Sequence, residues 1–311
     1  MFFAMNMGAS GIAPSFAASI GARVIKKRRA LWLFWVFVIM GALLLGRNVS
    51  VTLGKGLLPQ GLIDFDGVLI ILISATLSLF IANMLKIPQS TSQVTVGAII
   101  GAGLYFQQVY LKTLFLKIFP MWIILPLLAY LITFLLYRKI YPPKHDNLHI
   151  YEKLFVNHKK LRTATRILSC YVAFAIGTNN VANAVGPLFG AGVIGILPGI
   201  LLISPIFGIG AVLLGNGPLE TAGKEIVPLG LFSAALVSFV TATLLIFASI
   251  MGVPQSLVQL NIFSIFAISS LKNGHKSTMD ASTTRRTVGV WLITPLLSML
   301  LTYVLMFLTG E

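Results

Sequence analysis

The chain of 311 residues is 57% hydrophobic and 10% charged, with a mean hydropathy of +0.93. Water would not tolerate so apolar a surface, which excludes an ordinary soluble domain. The net charge of +15 would suit a nucleic-acid binder only if the cations shared a face with interleaved aromatics. Instead they gather in three blocks, Arg23–Arg29, Arg138–Arg166 and Lys272–Arg286, between long apolar stretches, a topology signal that excludes nucleic acid as a partner.

About 20 helical residues are needed to cross a hydrocarbon core. The first apolar stretch, 2–22, is followed rather than preceded by its basic cluster and carries Asn6, Ser10 and Pro14 within it. It reads as a membrane segment with its N-terminus outside, not as a secretory leader. Further segments are predicted at 30–46, 67–86, 88–106 and 117–137. The connector that follows contains His145, His149 and His158, too widely spaced and too short of cysteine to form a metal site. Five more segments follow at 167–191, 196–214, 229–251, 254–271 and 288–308. Cys170, the one cysteine, can form no intrachain disulfide and is expected to pack.

The two halves repeat. Gly8-Ala9-Ser10-Gly11 returns as Gly177-Thr178-Asn179-Asn180, and the same offset carries Leu45-Gly46 onto Leu214-Gly215. It also carries Trp122, Pro126 and Thr133 onto Trp291, Pro295 and Thr302. Ile87-Pro88-Gln89-Ser90 matches Val253-Pro254-Gln255-Ser256 with a small slip. Weakly similar membrane halves with polar interruptions at matching places are the mark of a secondary transporter.

An odd number of segments per half sends the second half into the membrane from the opposite face. All three basic blocks then lie on the cytoplasmic side, while Arg47, Lys55, Lys112 and Lys117 stay outside, diluted by Asp64 and Asp66. The expected fold is an all-α polytopic membrane protein of two inverted-topology repeats, five segments each, with broken or re-entrant helices at the midplane. The first repeat occupies 1–140, a cytoplasmic basic linker 141–166 and the second repeat 167–311. The expected location is the plasma membrane, with both termini outside.

Two pairs of segments break the apolar pattern: the glycine motifs, and Pro88-Gln89-Ser90-Thr91-Ser92-Gln93 with Pro254-Gln255-Ser256-Leu257-Val258-Gln259. Proline is comfortable in the first turn of a helix, so Pro88 and Pro254 each mark a helix start with free N–H groups just beyond it. Helix N-termini aimed at one point form an anion site without a formal cation. Taken singly, such small residues also serve as packing surfaces between membrane helices. The four-way symmetric set points to a site of Gly8, Ala9, Ser10, Gly11, Gln89, Ser90, Thr91, Ser92, Thr178, Asn179, Asn180, Asn183, Gln255 and Ser256. All eight acidic residues lie in predicted loops or at the terminus, which favours an anion over a cation as substrate. A channel would need a continuous polar pore, whereas the deep polar residues cluster at four points.

Gly177-Thr178-Asn179-Asn180-Val181-Ala182-Asn183-Ala184, with Gly190-Ala191-Gly192 after it, resembles the G-A-N-D-x-A-N-A signature of the inorganic phosphate transporter (PiT) family. Pro88-Gln89-Ser90-Thr91-Ser92 resembles that family's P-x-S-T-T motif, with Pro254-Gln255-Ser256 as the second copy. The opening, Phe3 to Gly11, is most similar to the bacterial sulfate permease branch. The resemblance implies an ion-coupled symporter of a tetrahedral oxyanion, neither an enzyme nor a cofactor binder. Where phosphate-transporting members carry the aspartates that ligate sodium, this chain has Gly11 and Asn180.

Monohydrogen phosphate has an O–H that wants an acceptor, whereas sulfate needs donors alone. A site without carboxylate therefore suits sulfate, with phosphate as the alternative. Absence of intramembrane carboxylates also turns the expectation from sodium toward a proton as coupling ion. Glu220 and Glu225 are candidate carriers only by elimination. The expected partners are the oxyanion, the coupling ion and the bilayer, and a homodimer is compatible.

Overall fold

The computed structural model describes residues 1–84, 90–142, 145, 148–149, 152, 158–215, 230–280 and 282–310. No strand occurs among them. The main helices are α1 (Phe2–Gly21), α2 (Lys27–Lys55), α3 (Phe65–Met84), α4 (Thr91–Tyr105) and α5 (Leu111–Arg138) in the first half. The second half has α6 (His158–Asn180), α7 (Ala182–Gly190), α8 (Ile196–Leu214), α9 (Gly230–Ile250), α10 (Leu257–Asn273), α11 (His275–Asp280) and α12 (Ser282–Thr309). Within α5 the turn Leu114–Ile118 is π-helical.

Four helices, α2, α5, α8 and α9, are long and apolar enough to cross a membrane by length and composition. Trp32, Leu44, Phe80, Leu116, Leu213 and Phe307 are exposed, an apolar surface that lipid would cover. Buried hydroxyls bond back into their own helices: Ser15 to the Gly11 carbonyl and Ser50 to the Gly46 carbonyl, both at 2.9 Å. The back-bond satisfies each of these two hydroxyls where there is no water.

The halves interlock. Helix α2 packs against α6 and α1 against α8, while α4 packs against α12 and α5 against α10. One hydrophobic core takes residues from both halves, among them Phe16, Phe34, Ile176 and Phe207. Glycines set the closest approaches. A Cβ on Gly8 would overlap the Phe207 carbonyl, and one on Gly177 would overlap the Val38 carbonyl. Gly41 meets the Phe174 carbonyl in the same way, and Gly210 meets that of Met5. The sequence offset that relates Gly8 to Gly177 also relates Val38 to Phe207, Gly41 to Gly210 and Met5 to Phe174.

One expectation needs correction. The first segment, expected to be broken around its glycine motif, is the uninterrupted helix α1 with Pro14 inside it. Proline there removes a single hydrogen bond without ending the helix, and Gly8 packs against the Phe207 backbone. The matching interruption in the second half is slight. Helix α6 ends at Asn180 and α7 starts at Ala182, with Val181 between them in helical geometry at φ −60° and ψ −34°.

Candidate functional site

Helices α4 and α10 start deep inside the protein and are short, 15 and 17 residues. Each start has the same chemistry. Ser90 caps α4, its Oγ accepting the Gln93 N–H at 3.1 Å, and Ser256 caps α10, its Oγ accepting the Gln259 N–H at 3.2 Å. Ser-x-x-Gln is the pattern of a capping box, in which the glutamine side chain returns to the cap. Here Gln93 Oε1 and Gln259 Oε1 are buried without a partner, so each box stays half closed.

The two starts meet through Ser92, whose hydroxyl donates to the Gln255 carbonyl at 3.1 Å. Because that hydroxyl is the donor there, its lone pair accepts from Asn183 Nδ2 at 3.2 Å. This fixes which way the Asn183 amide points. Asn183 Oδ1 is left buried and unpaired. The same Nδ2 lies 3.4 Å from Thr91 Oγ1 and 4.0 Å from Met7 Sδ.

Asn179 holds the other side. Its Nδ2 donates to the Val253 carbonyl and to Ser249 Oγ, both at 3.0 Å, while its Oδ1 accepts the Gln255 N–H at 3.0 Å. Expected as a ligand donor, Asn179 instead has its amide occupied in clamping the turn before α10. Thr178 acts beside it, with Oγ1 2.7 Å from the Ala175 carbonyl and 2.8 Å from Ser249 Oγ. Asn180 Oδ1 and both side-chain amide atoms of Gln255 are buried and unpaired.

Ser90, Ser92, Asn183, Gln255 and Ser256 therefore belong to one buried constellation, with Thr91 at its edge and Asn180 one turn before Asn183. The first glycine motif serves differently. Gly8 packs on Phe207, Gly11 on Phe34 and Ile176, and Ala9 is buried. Ser10 is exposed, and its hydroxyl donates to the Met7 carbonyl at 3.0 Å. The α1 side chain that reaches the constellation is Met7. Gln89, Glu220 and Glu225 lie outside the described residues.

Reasoning from sequence missed four participants. Gln93 and Gln259 were legible, since Ser-x-x-Gln stands in both halves. Ser249 was not, because it carries no motif, and Met7 was not, because an apolar side chain in the opening stretch gives no sign of reaching a polar site.

Six unpaired amide atoms on five buried residues, Gln93, Asn180, Asn183, Gln255 and Gln259, are a heavy load at about 1–3 kcal/mol each. Packing alone does not account for it. These amides, together with two capped helix N-termini, can satisfy a small polar ligand with no formal charge of their own.

A bundle that is apolar outside and polar at its centre defines a multi-pass helical membrane protein, and the comparisons place it. The profile of the phosphate transporter family (PHO4) matches residues 7–302. The chain is 38% identical to the sulfate permease CysP of Bacillus subtilis over 99% of this chain and 85% of that protein. It is 23% identical to the chloroplastic inorganic phosphate transporter 2-1 of Arabidopsis thaliana, over 94% of this chain and 68% of that protein. A solved sodium-dependent phosphate transporter shares the fold with a TM-score of 0.85 at 24% identity, covering 99% of this chain and 96% of that one. The chain belongs to the phosphate transporter (PiT) family, a family of inorganic-anion transporters and not of enzymes.

Proposed function

We propose that the protein imports sulfate across the plasma membrane by ion-coupled symport, binding it where the starts of α4 and α10 meet. The observation that carries this reading is the pair of Ser-capped helix N-termini joined through Ser92 and Gln255, with the unpaired Gln255 Nε2 donor beside them. Among the described residues, no carboxylate belongs to that constellation. Backbone N–H groups and the Gln255 Nε2 group suit an ion that only accepts hydrogen bonds, whereas the unpaired amide oxygens suit a cation or another donor. The identity to a sulfate permease over nearly the whole chain supports it. Phosphate is the alternative substrate.

The proposed organisation is two inverted repeats, 1–140 and 167–311, around the cytoplasmic linker 141–166, with both termini outside. Interlocked contacts repeated at the sequence offset, Gly8 on Phe207 and Gly177 on Val38, support a two-fold arrangement. The constellation is closed, its side chains from Ser90 to Gln259 being buried. Transport then requires the halves to rock and open it to each face in turn.

Bringing a dianion in against an interior-negative potential of 100 mV costs about 4.6 kcal/mol, twice the single-charge figure. At least two monovalent cations must accompany it to cancel that cost. A proton is the coupling ion favoured by the lack of intramembrane carboxylates. Sodium is a second reading, favoured by the unpaired Asn180 Oδ1 and Asn183 Oδ1, because oxygen ligands serve sodium without titrating.

Purified protein in sealed vesicles tests both points. Uptake of labelled sulfate that is saturable and poorly inhibited by phosphate is expected. Saturable phosphate uptake without sulfate uptake would overturn the substrate reading. Accumulation driven by a sodium gradient at symmetric pH, and not by a proton gradient, would overturn proton coupling.

A further inference from the structure

Lys117 is a half-buried lysine in a place that a solvated lysine has no reason to occupy. It stands in the π-helical turn Leu114–Ile118 of α5, and such turns, which re-aim one side chain out of helical register, recur at functional sites. Its ammonium donates to Thr52 Oγ1 at 3.3 Å. A Cβ on Gly252 would lie 3.2 Å from the same nitrogen. Thr52 is tied in turn to the Asn48 carbonyl at 3.2 Å, and Asn48 Nδ2 donates to the Ile250 carbonyl at 2.9 Å. The ammonium is thereby held where α2, α5 and the Ile250–Gly252 turn come together. Gly252, at φ +66°, permits that turn, and three residues beyond it stands Gln255.

An ammonium has three donors, and the acceptor this one has found is a neutral hydroxyl. A cation withdrawn from water beside neutral groups is costly until an anion joins it. The sequence repeat adds an independent pointer. The offset that carries Trp122 onto Trp291 carries Lys117 onto Arg286, so each half holds a cation five residues before its tryptophan.

We infer that Lys117 is an outer anion-binding subsite, the first point at which the oxyanion is held before it passes along the Gly252 turn to Gln255 and Ser256. The inference rests on the oxyanion-import reading and adds an entry site distinct from the central constellation. Its chemistry is recognition of a free inorganic oxyanion by a single point charge.

The test is initial-rate uptake of labelled sulfate in phosphatidylcholine vesicles. Lys117→Gln and Lys117→Met are expected to raise KM about tenfold at unchanged kcat, the mark of lost uniform binding, and to flatten the dependence of KM on ionic strength. Lys117→Arg is expected to keep both. Wild-type KM and salt dependence in Lys117→Gln would overturn the inference, as would a fall in kcat alone. Should those variants not fold, Lys117→Cys in a Cys170→Ala background decides it. A cationic thiol reagent should lower its KM and an anionic one of similar size should raise it, whereas equal effects overturn the subsite. An effect that needs anionic lipid in the vesicle would assign the lysine to a lipid phosphate and overturn the entry role. A wild-type protein that carries phosphate and not sulfate refutes the substrate reading instead, and the same variants then decide the subsite with inorganic phosphate.

Discussion

Asn179 and Gln255, 76 positions apart, are joined by a 3.0 Å hydrogen bond from the Gln255 N–H to Asn179 Oδ1. This bond, with two more from the same amide, fixes the turn from which α10 starts. Asn183, one helical turn along, has its carbonyl oxygen unpaired. Two asparagines of one motif thus stand differently, the first with its whole amide engaged in the scaffold and the second with its carbonyl oxygen unpaired.

Their variants should separate. Asn179→Ala orphans the Gln255 N–H and the Val253 carbonyl, at about 1–3 kcal/mol apiece, so it should lower the melting temperature in detergent and abolish uptake. Asn183→Ala removes only long Nδ2 contacts, to Ser92 Oγ at 3.2 Å, Thr91 Oγ1 at 3.4 Å and Met7 Sδ at 4.0 Å, and should leave melting within a few degrees while still abolishing uptake. Equal melting of the two proteins would refute the division of roles.

The glycines make a second prediction. Gly8→Ala and Gly177→Ala each push a methyl into a carbonyl, that of Phe207 or of Val38. Overpacking of this kind costs about 1–3 kcal/mol, and both variants should lose similar stability because their contacts match. A large loss in one and none in the other, by thermal unfolding, would count against the two-fold arrangement.

Trp122 Nε1 donates to the Pro254 carbonyl at 2.7 Å, pinning the turn before α10 to α5. Trp122→Phe keeps an aromatic ring, though a smaller one, and leaves that carbonyl unpaired, for a loss of about 1–3 kcal/mol from the hydrogen bond alone. Slower uptake with a lowered melting temperature is expected. Trp122→Phe with wild-type uptake and wild-type melting would mean that the turn is held without it.

Topology is open to direct chemical test. In a Cys170→Ala background, Arg28→Cys should be protected from an impermeant thiol reagent in intact cells and react once the membrane is opened. Labelling of intact cells would reverse the proposed orientation.

Much of this was legible in the chain. Composition set the membrane class, and the apolar runs located segments that the helices now bound, such as 196–214 and Ile196–Leu214. A helix start near Pro254 was readable from the proline, but α10 starts at Leu257 with Ser256 as its cap, so Pro254 stands two residues before the cap and not in the first turn. Membership of the oxyanion-transporter family was carried by the motifs and matches the family assignment.

The sequence alone therefore determined what depends on neighbours along the chain: the helical character, the repeat of its motifs and the approximate helix starts. Only the tertiary structure decided which polar side chain does what. Gly8 looks like a ligand contact until Phe207 is seen against it, and Asn179 looks like a donor until Val253, Ser249 and Gln255 are found holding it. Met7 is apolar and Ser249 carries no motif, yet α1 and α9 bring them to the centre. An amide's role depends on which of its atoms is already paired, and those pairings are made across the chain.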